Sequence, residues 1–290
     1  MQVITSKDNE IIKNIKKLKE KKYRDEENKF LVEGIKMVQE AILENAKISK
    51  IVICEDCIND GSIKQELLYE IAKHDCIYVS EKVFKTLTEV TNPQGILAVI
   101  EKENSEDKIS YDEDIIVVLD GIQDPGNLGT ILRTIDSINL KQVILSEKTA
   151  DPYNPKVVRS TMGAIYRVNM IRSKNIIETL KNMKKNKYDI VATSLQTDKT
   201  IYDIDYKKKV IIIGNEANGV SKEVLDLANE KVKIPMLRKN WKPKCSSSNR
   251  NNFIWICKKK KLGTLGTPLS VPKWNARDTP SVLISLNKKK

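Results

Sequence analysis

At 290 residues the chain is long enough for two domains and a sizeable core, and its 40% hydrophobic and 31% charged residues fit a soluble globular protein. No apolar run approaches the ~20 residues of a membrane span, and the N-terminal segment lacks an apolar signal core; five irregularly spaced cysteines suit a reducing compartment, so the expected setting is cytoplasmic. The net charge of +12 is a weak pointer to an anionic partner, because residues 238–290 hold 14 basic residues and one acid (Asp278), leaving −1 for residues 1–237.

Residues 6–22 predict an amphipathic helix, with Ser6 as N-cap and Ile11, Ile12, Ile15 and Leu18 as its apolar face. Lys13, Lys16, Lys17, Lys19, Lys21, Lys22 and Arg24 cluster there, either as an ordinary solvated face or as a phosphate-contacting surface. A strand at Lys29–Val32, a turn at Glu33-Gly34 and a helix at Ile35–Asn45 follow. Next come strand Ile51–Cys54, helix 62–74, strand Ile77–Val79, helix Glu81–Leu87 and strand Ile96–Ile100, together an alternating α/β unit over residues 1–100. Cys54 and Cys57 form a C-x-x-C, but His74 and Cys76 do not complete zinc spacing, so these read as small apolar residues rather than metal ligands.

Charged residues 101–113 read as an interdomain linker. Beyond it, strands are expected at Ile115–Leu119, Gln142–Leu145, Ala164–Val168, Ile190–Ser194, Val210–Gly214 and Val232–Ile234, with helices at 128–138, 154–162, 174–186 and 221–229. That alternation predicts a mainly parallel sheet. Phosphate-binding fingerprints of the dinucleotide and P-loop types are missing, and a single histidine, His74, restricts any histidine-based chemistry to one position.

Three segments carry the functional signal. Asn127-Leu128-Gly129, followed by Arg133-Thr134, stands where an apolar strand passes through a Gly/Pro-rich loop into a helix. A second strand runs into Gly214-Asn215-Glu216-Ala217-Asn218-Gly219-Val220, and a third exits through Ile234-Pro235-Met236-Leu237. Each alone has an ordinary structural reading: Asn127 as a helix cap, Gly219 as a positive-φ turn, Arg133 as a surface residue. In this order and spacing, as N-x-G-x3-R-T and G-N-E-x-x-G-V, they resemble the SpoU/TrmH family of SPOUT RNA 2′-O-ribose methyltransferases over residues 1–237. Thr193–Leu195 and Phe30–Gly34 add to the likeness.

The resemblance implies an α/β fold: a C-terminal SPOUT trefoil-knot methyltransferase domain over 114–237 and a smaller N-terminal α/β RNA-substrate-binding domain over 1–100. It also implies S-adenosyl-L-methionine as cofactor, RNA (ribosomal RNA above all) as substrate, a homodimer with composite active sites, and neither metal nor membrane. Thr193, Ser194, Leu195, Gly214, Asn215, Gly219, Ile234, Met236 and Leu237 map to the cofactor side. Arg133, Asn127 and Glu216 map to catalysis, with Glu216 fixing Arg133 or Asn127. For Arg133 a phosphate clamp and a general base both stand open; a guanidinium pKa above ~12 makes the second demanding. Lys16, Lys17, Lys21, Lys22, Arg24 and Arg159 are the RNA-binding candidates.

The family's third motif, Ser-Leu-Asn-Val and an apolar helix, is missing after Leu237. The chain reads Arg238-Lys239-Asn240-Trp241 and continues basic, with all three tryptophans (Trp241, Trp255, Trp274) in this tail. Permitted codons for residues 238–255, read one base later, give Gly-Lys-Ile-Gly-Ser-Leu-Asn-Val-Ala-Val-Ala-Thr-Gly-Ile-Ile-Leu-Tyr. Residues 238–290 are therefore expected to be an out-of-frame, unpacked tail, with the knot and cofactor pocket incomplete. The alternative function is a catalytically impaired RNA-binding protein.

Overall fold

The computed structural model describes residues 3–56, 63–102 and 108–233. Two sheets result. The N-terminal one holds β1 (Val3–Ile4), β2 (Lys29–Glu33), β3 (Ile48–Cys54), β4 (Cys76–Val79) and β5 (Ile96–Glu101) in the order β1-β4-β3-β5-β2, with β5 antiparallel to both neighbours. Helices α1 (Glu10–Lys17), α2 (Lys21–Glu26), α3 (Ile35–Leu43), α4 (Gln65–Ile71) and α5 (Glu81–Leu87) accompany it.

The second sheet is wholly parallel: β6 (Ile115–Asp120), β7 (Gln142–Ser146), β8 (Asn169–Ser173), β9 (Asp189–Thr193), β10 (Lys209–Gly214) and β11 (Glu230–Val232), ordered β11-β9-β10-β6-β7-β8. Helices α6 (Pro125–Ser137), α7 (Pro155–Thr161), α8 (Ile176–Lys185) and α9 (Lys222–Leu227) connect its strands. Strands β6, β7 and β10 are buried along their whole length, which is why they read as near-continuous apolar runs. Fold class and parallel sheet follow the sequence expectation.

Three local expectations are corrected. The helix expected over 6–22 is two helices, and Asn9, not Ser6, caps the first. The break between them leaves the carbonyls of Leu18 and Lys19 free, and the buried Arg24 guanidinium collects both at 2.9 and 2.6 Å. The strand expected at Ala164–Val168 is a 3-10 turn over Ala164–Tyr166, and β8 begins only at Asn169. Met162 (φ 52°) and Gly163 (φ 95°) end α7 in the left-handed region, and the apolar pair that follows is drawn elsewhere: Ile165 enters the N-terminal domain's core. Finally, α6 starts at Pro125, not 128. Asp124 is its N-cap and Pro125 stands in its first turn, where a missing N–H costs nothing.

Of the expected linker, residues 103–107 lie outside the described residues, as does the tail from 238. Ser110 exchanges hydrogen bonds with the Gln142 side chain (3.0 and 2.6 Å), and Tyr188 Oη donates to the carbonyl of Tyr111, so this end of the segment is fastened to the second domain. Cys54 is buried on β3; Cys57 lies outside the described residues.

The two domains share a core. Val158 and Ile165 pack with Phe30, Val32, Val38 and Ile100. Around that seam Arg24 reaches Asp151 at 2.6 Å, and Arg167 joins Asp136, Glu40 and Glu44 at 2.9, 2.8 and 3.0 Å.

Candidate active site

Strand β6 delivers Asp120, only 7% exposed, to the C-terminal edge of the sheet. The chain turns at Gly121, whose φ of 76° excludes most side chains. That turn is held from both sides. The Gly121 amide donates to Ser146 Oγ (2.9 Å) and Thr149 Oγ1 (3.2 Å), and its carbonyl accepts from Asn215 Nδ2 (2.8 Å). Asp120 Oδ2 accepts from the Ser221 amide at 2.9 Å, tying the end of β6 to the start of α9.

What the sequence offered as a Gly-rich loop is the first turn of α6. The Asp124 carboxylate accepts from the Asn127 amide at 2.7 Å. Asn127, 5% exposed, donates through Nδ2 to Glu216 Oε1 at 2.8 Å. Of the two partners expected for Glu216, the structure supplies Asn127. Gly129 serves helix packing rather than approach to a ligand: a Cβ there would lie 2.4 Å from Ser160 Cβ on α7.

Arg133 lies on the exposed stripe of α6 with Gly126, half-buried Thr130 and Ser137. Five arginines fall within the described residues. Arg24, Arg159 and Arg167 are paired with acids, and Arg172 donates to the carbonyls of Glu147, Thr149 and Ala150. Arg133 alone has no partner among the described residues.

Residues 215–219 fold tightly over the end of β10. Asn215 and Gly219 exchange backbone hydrogen bonds at 2.9 Å, and Asn215 Oδ1 accepts from the amides of Ala217 and Asn218. Gly214 has no room for a side chain, since a Cβ would lie 2.2 Å from the Gly219 backbone, whereas Gly219 (φ 71°) faces open space. On the neighbouring strand, Thr193 Oγ1 donates to the Ile212 carbonyl (3.1 Å) and the Ser194 amide to the Val232 carbonyl (2.9 Å). Leu195 follows, 92% exposed. Thr193–Leu195 and Gly214–Gly219 thus stand side by side at the C-terminal edge, offering backbone polar groups, an uncovered apolar side chain and an open glycine. With these donors spent inside the loops, carbonyl oxygens with a second lone pair beside an apolar side chain remain, and they fit the adenine N–H groups and apolar ring of an adenosine-bearing cofactor. Ile234, Met236 and Leu237 lie outside the described residues.

The basic candidates divide. Lys16, Lys17, Lys21 and Lys22 are exposed, with the Lys17 and Lys22 ammonium groups 5.9 and 5.6 Å from the Tyr23 ring centre. Arg24 is a correction: it is 2% exposed and committed to Asp151 and two carbonyls, so it joins domains and presents nothing to RNA. Arg159 is half-buried, its guanidinium 3.8 Å from Glu89. Sequence reasoning missed Asp120, Asp124, Ser146 and Thr149. The Asp-Pro pair, an N-cap followed by proline, was the available signal for Asp124; hydroxyls at Ser146 and Thr149 carried none.

Residues 114–241 match the SpoU rRNA Methylase family, and residues 9–98 the MRM3-like substrate binding domain. The 23S rRNA (guanosine(2553)-2'-O)-methyltransferase RlmP of Bacillus subtilis is 30% identical over 237 residues, 81% of this chain and 91% of that protein. The chain belongs to the SpoU rRNA methylase family. A SpoU-family likeness extends to solved structures. The rRNA methyltransferase of Sinorhizobium meliloti covers 90% of this chain and 98% of its own, with a TM-score of 0.76 and 29% identity. Its AdoMet-bound form gives 0.73 and 28%. AviRb of Streptomyces viridochromogenes, at 21% identity and a TM-score of 0.75, shares the fold. As in the SpoU family, S-adenosylmethionine is the cofactor. The family match ends at residue 241, four residues past the point where the third motif is lost.

Proposed function

We propose that this chain is an S-adenosylmethionine-dependent ribose 2′-O-methyltransferase of ribosomal RNA, acting in the cytoplasm as a homodimer with a knotted C-terminal domain. The observation that carries the site assignment is Arg133: it is the one described arginine left unpaired, on the exposed stripe of the helix whose first turn is the locked polar one. An unpaired guanidinium is available to hold the phosphate beside the target ribose bidentately and to favour the developing 2′-alkoxide. Asn127, held by Glu216, keeps the start of α6 fixed against the 215–219 loop, so that Arg133 is aimed before substrate arrives. Thr193–Leu195, Gly214, Asn215 and Gly219 would hold the cofactor, with Ile234, Met236 and Leu237 completing the set; bound there, it supplies an electrophilic methyl group. Lys16, Lys17, Lys21 and Lys22, with Arg159 nearer the seam, would meet the RNA backbone.

A second reading rests on Arg238–Ser248 standing where the third motif belongs: this chain binds RNA but lacks a wall of the cofactor pocket. Titration calorimetry with S-adenosylmethionine separates the two. Under the second reading the chain as given shows no binding, and a version shifted by one base at codon 238 restores it. For the first reading, Arg133→Ala in the restored protein is expected to lower methyl transfer to 23S rRNA by about 10²–10³-fold while leaving thermal unfolding unchanged. Near-normal transfer would remove Arg133 from the reaction.

A further inference from the structure

Beyond its chain neighbours, Gly121 has two groups close to where a side chain would stand: the Cβ atoms of Asn215 and Lys148, each 3.9 Å from that position. The strand order β10-β6-β7 puts them on either side of the end of β6, so the glycine floors an open notch between the two side chains. Lys148 is exposed and has no acid or carbonyl partner among the described residues. Its backbone is fixed all the same. Arg172 of β8 donates to the carbonyls of Glu147, Thr149 and Ala150 at 3.1, 3.2 and 3.1 Å. Thr149 Oγ1 donates to the Leu119 carbonyl at 2.9 Å, and the Ala150 amide to that of Ile122 at 2.8 Å. The lysine therefore extends from a loop locked to the Gly121 turn. That loop also leads to the lysine-rich helix. Asp151 holds Arg24 of α2 at 2.6 Å, and Lys21 and Lys22 open the same helix. The three residues from Lys148 to Asp151 span at most ~11 Å, so a short path joins the basic surface of α2 to the Gly121 edge.

We propose that Lys148 holds a backbone phosphate of the RNA where the strand passes from α2 to the Gly121 turn; the inference rests on the ribose-methyltransferase reading above. A 2′-hydroxyl stands beside the 3′ phosphate of its own nucleotide, so a strand set for reaction at this edge brings phosphates to it. An exposed ammonium on a fixed loop holds a phosphate as a point charge, positioning the strand without reading its bases. The acids of this edge are largely engaged. Asp120 accepts from the Ser221 amide, Asp124 from the Asn127 amide and Glu216 from the Asn127 side chain. Glu147, exposed and next in sequence, opposes the phosphate from the loop itself. The competing anion is the carboxylate of the cofactor. The path through Asp151 to Lys21 and Lys22 favours the RNA.

Filter binding of a 23S rRNA transcript to the full chain, repeated from about 50 to about 200 mM salt, reads this contact. Loss of one phosphate contact lowers the slope of log K against log salt by about 0.7–0.9, and weakens binding about tenfold at the low end and about threefold at the high end. Lys148→Gln is expected to show that loss, and Lys148→Arg to keep the slope of the parent. Lys141→Gln should keep it too: Lys141 is equally exposed but precedes β7, a strand length of roughly 17 Å away. Every variant carries residues 238–290, so their charge cancels in the comparison. In the version restored at codon 238, Lys148→Gln should raise KM for RNA while calorimetry finds S-adenosylmethionine binding unchanged. A slope or KM equal to that of the parent, or an equal loss in Lys141→Gln, overturns the inference. So does weakened S-adenosylmethionine binding with RNA binding intact, which would give Lys148 to the cofactor's carboxylate. Failure of the parent itself to bind the transcript overturns the RNA reading, and this contact with it.

Discussion

An arginine in a folded protein generally finds acids or carbonyls, and four of the five described here do. Arg133 stays open because its helix turns it outward, within two turns of Asn127. The contrast with Arg24 is instructive at the residue scale. Arg24 belongs to a lysine-rich stretch, yet it is swallowed by the helix break that it stabilises, a fate that charge and periodicity alone do not reveal. Arg133 was singled out as a candidate through the resemblance carried by its spacing to Asn127 and Gly129. Why Gly129 must be glycine was not, since Ser160 comes from a separate helix. Replacing Gly129 with Ala should therefore overpack the α6–α7 contact and destabilise the protein by about 1–3 kcal/mol, read from urea unfolding. An unchanged midpoint would mean that the helices can separate without penalty.

Among the elements, the sheet and its alternating helices were readable because its central strands β6, β7, β9 and β10 are short apolar runs between helical patterns. The misreadings occur where tertiary packing decides. Ala164-Ile165 has strand composition but is pulled into the neighbouring domain's core, and the lysine-rich N-terminal helix breaks to let Arg24 turn inward. The edge strand β11 is fastened by charge: Glu230 accepts from Lys199 and Lys209, and these partners, Lys199 first, hold its carboxyl below the usual 4.5. A depressed acid contributes stability that is complete above its unfolded pKa and is lost as pH falls through the folded one. Glu230→Gln should accordingly melt below the parent at neutral pH, with the difference shrinking as pH drops below 4.5. A difference that persists undiminished in acid would show that the pair does not hold β11.

For the whole molecule, the substrate domain is built into the catalytic domain rather than hung from it. A shared apolar core and two arginine clusters cross the seam, and Asp136 of the Arg167 cluster sits one turn beyond Arg133 on α6. None of these long-range pairings can be read from sequence, where the segment 101–113 looks like a free linker. Breaking the more buried pair with Asp151→Asn strands the Arg24 charge and is expected to destabilise the protein by about 3 kcal/mol or more, seen as a lowered thermal midpoint. A midpoint matching the parent would indicate domains that fold and dock independently of that pair. The account stands or falls on the chemistry at the C-terminal edge. Incubating 23S rRNA with S-adenosylmethionine and the version restored at codon 238, then digesting to nucleosides for mass spectrometry, tests it directly. One new 2′-O-methylated ribose is predicted, formed about 10²–10³-fold more slowly by Arg133→Ala; a methyl group on a base, or none at all, would contradict it.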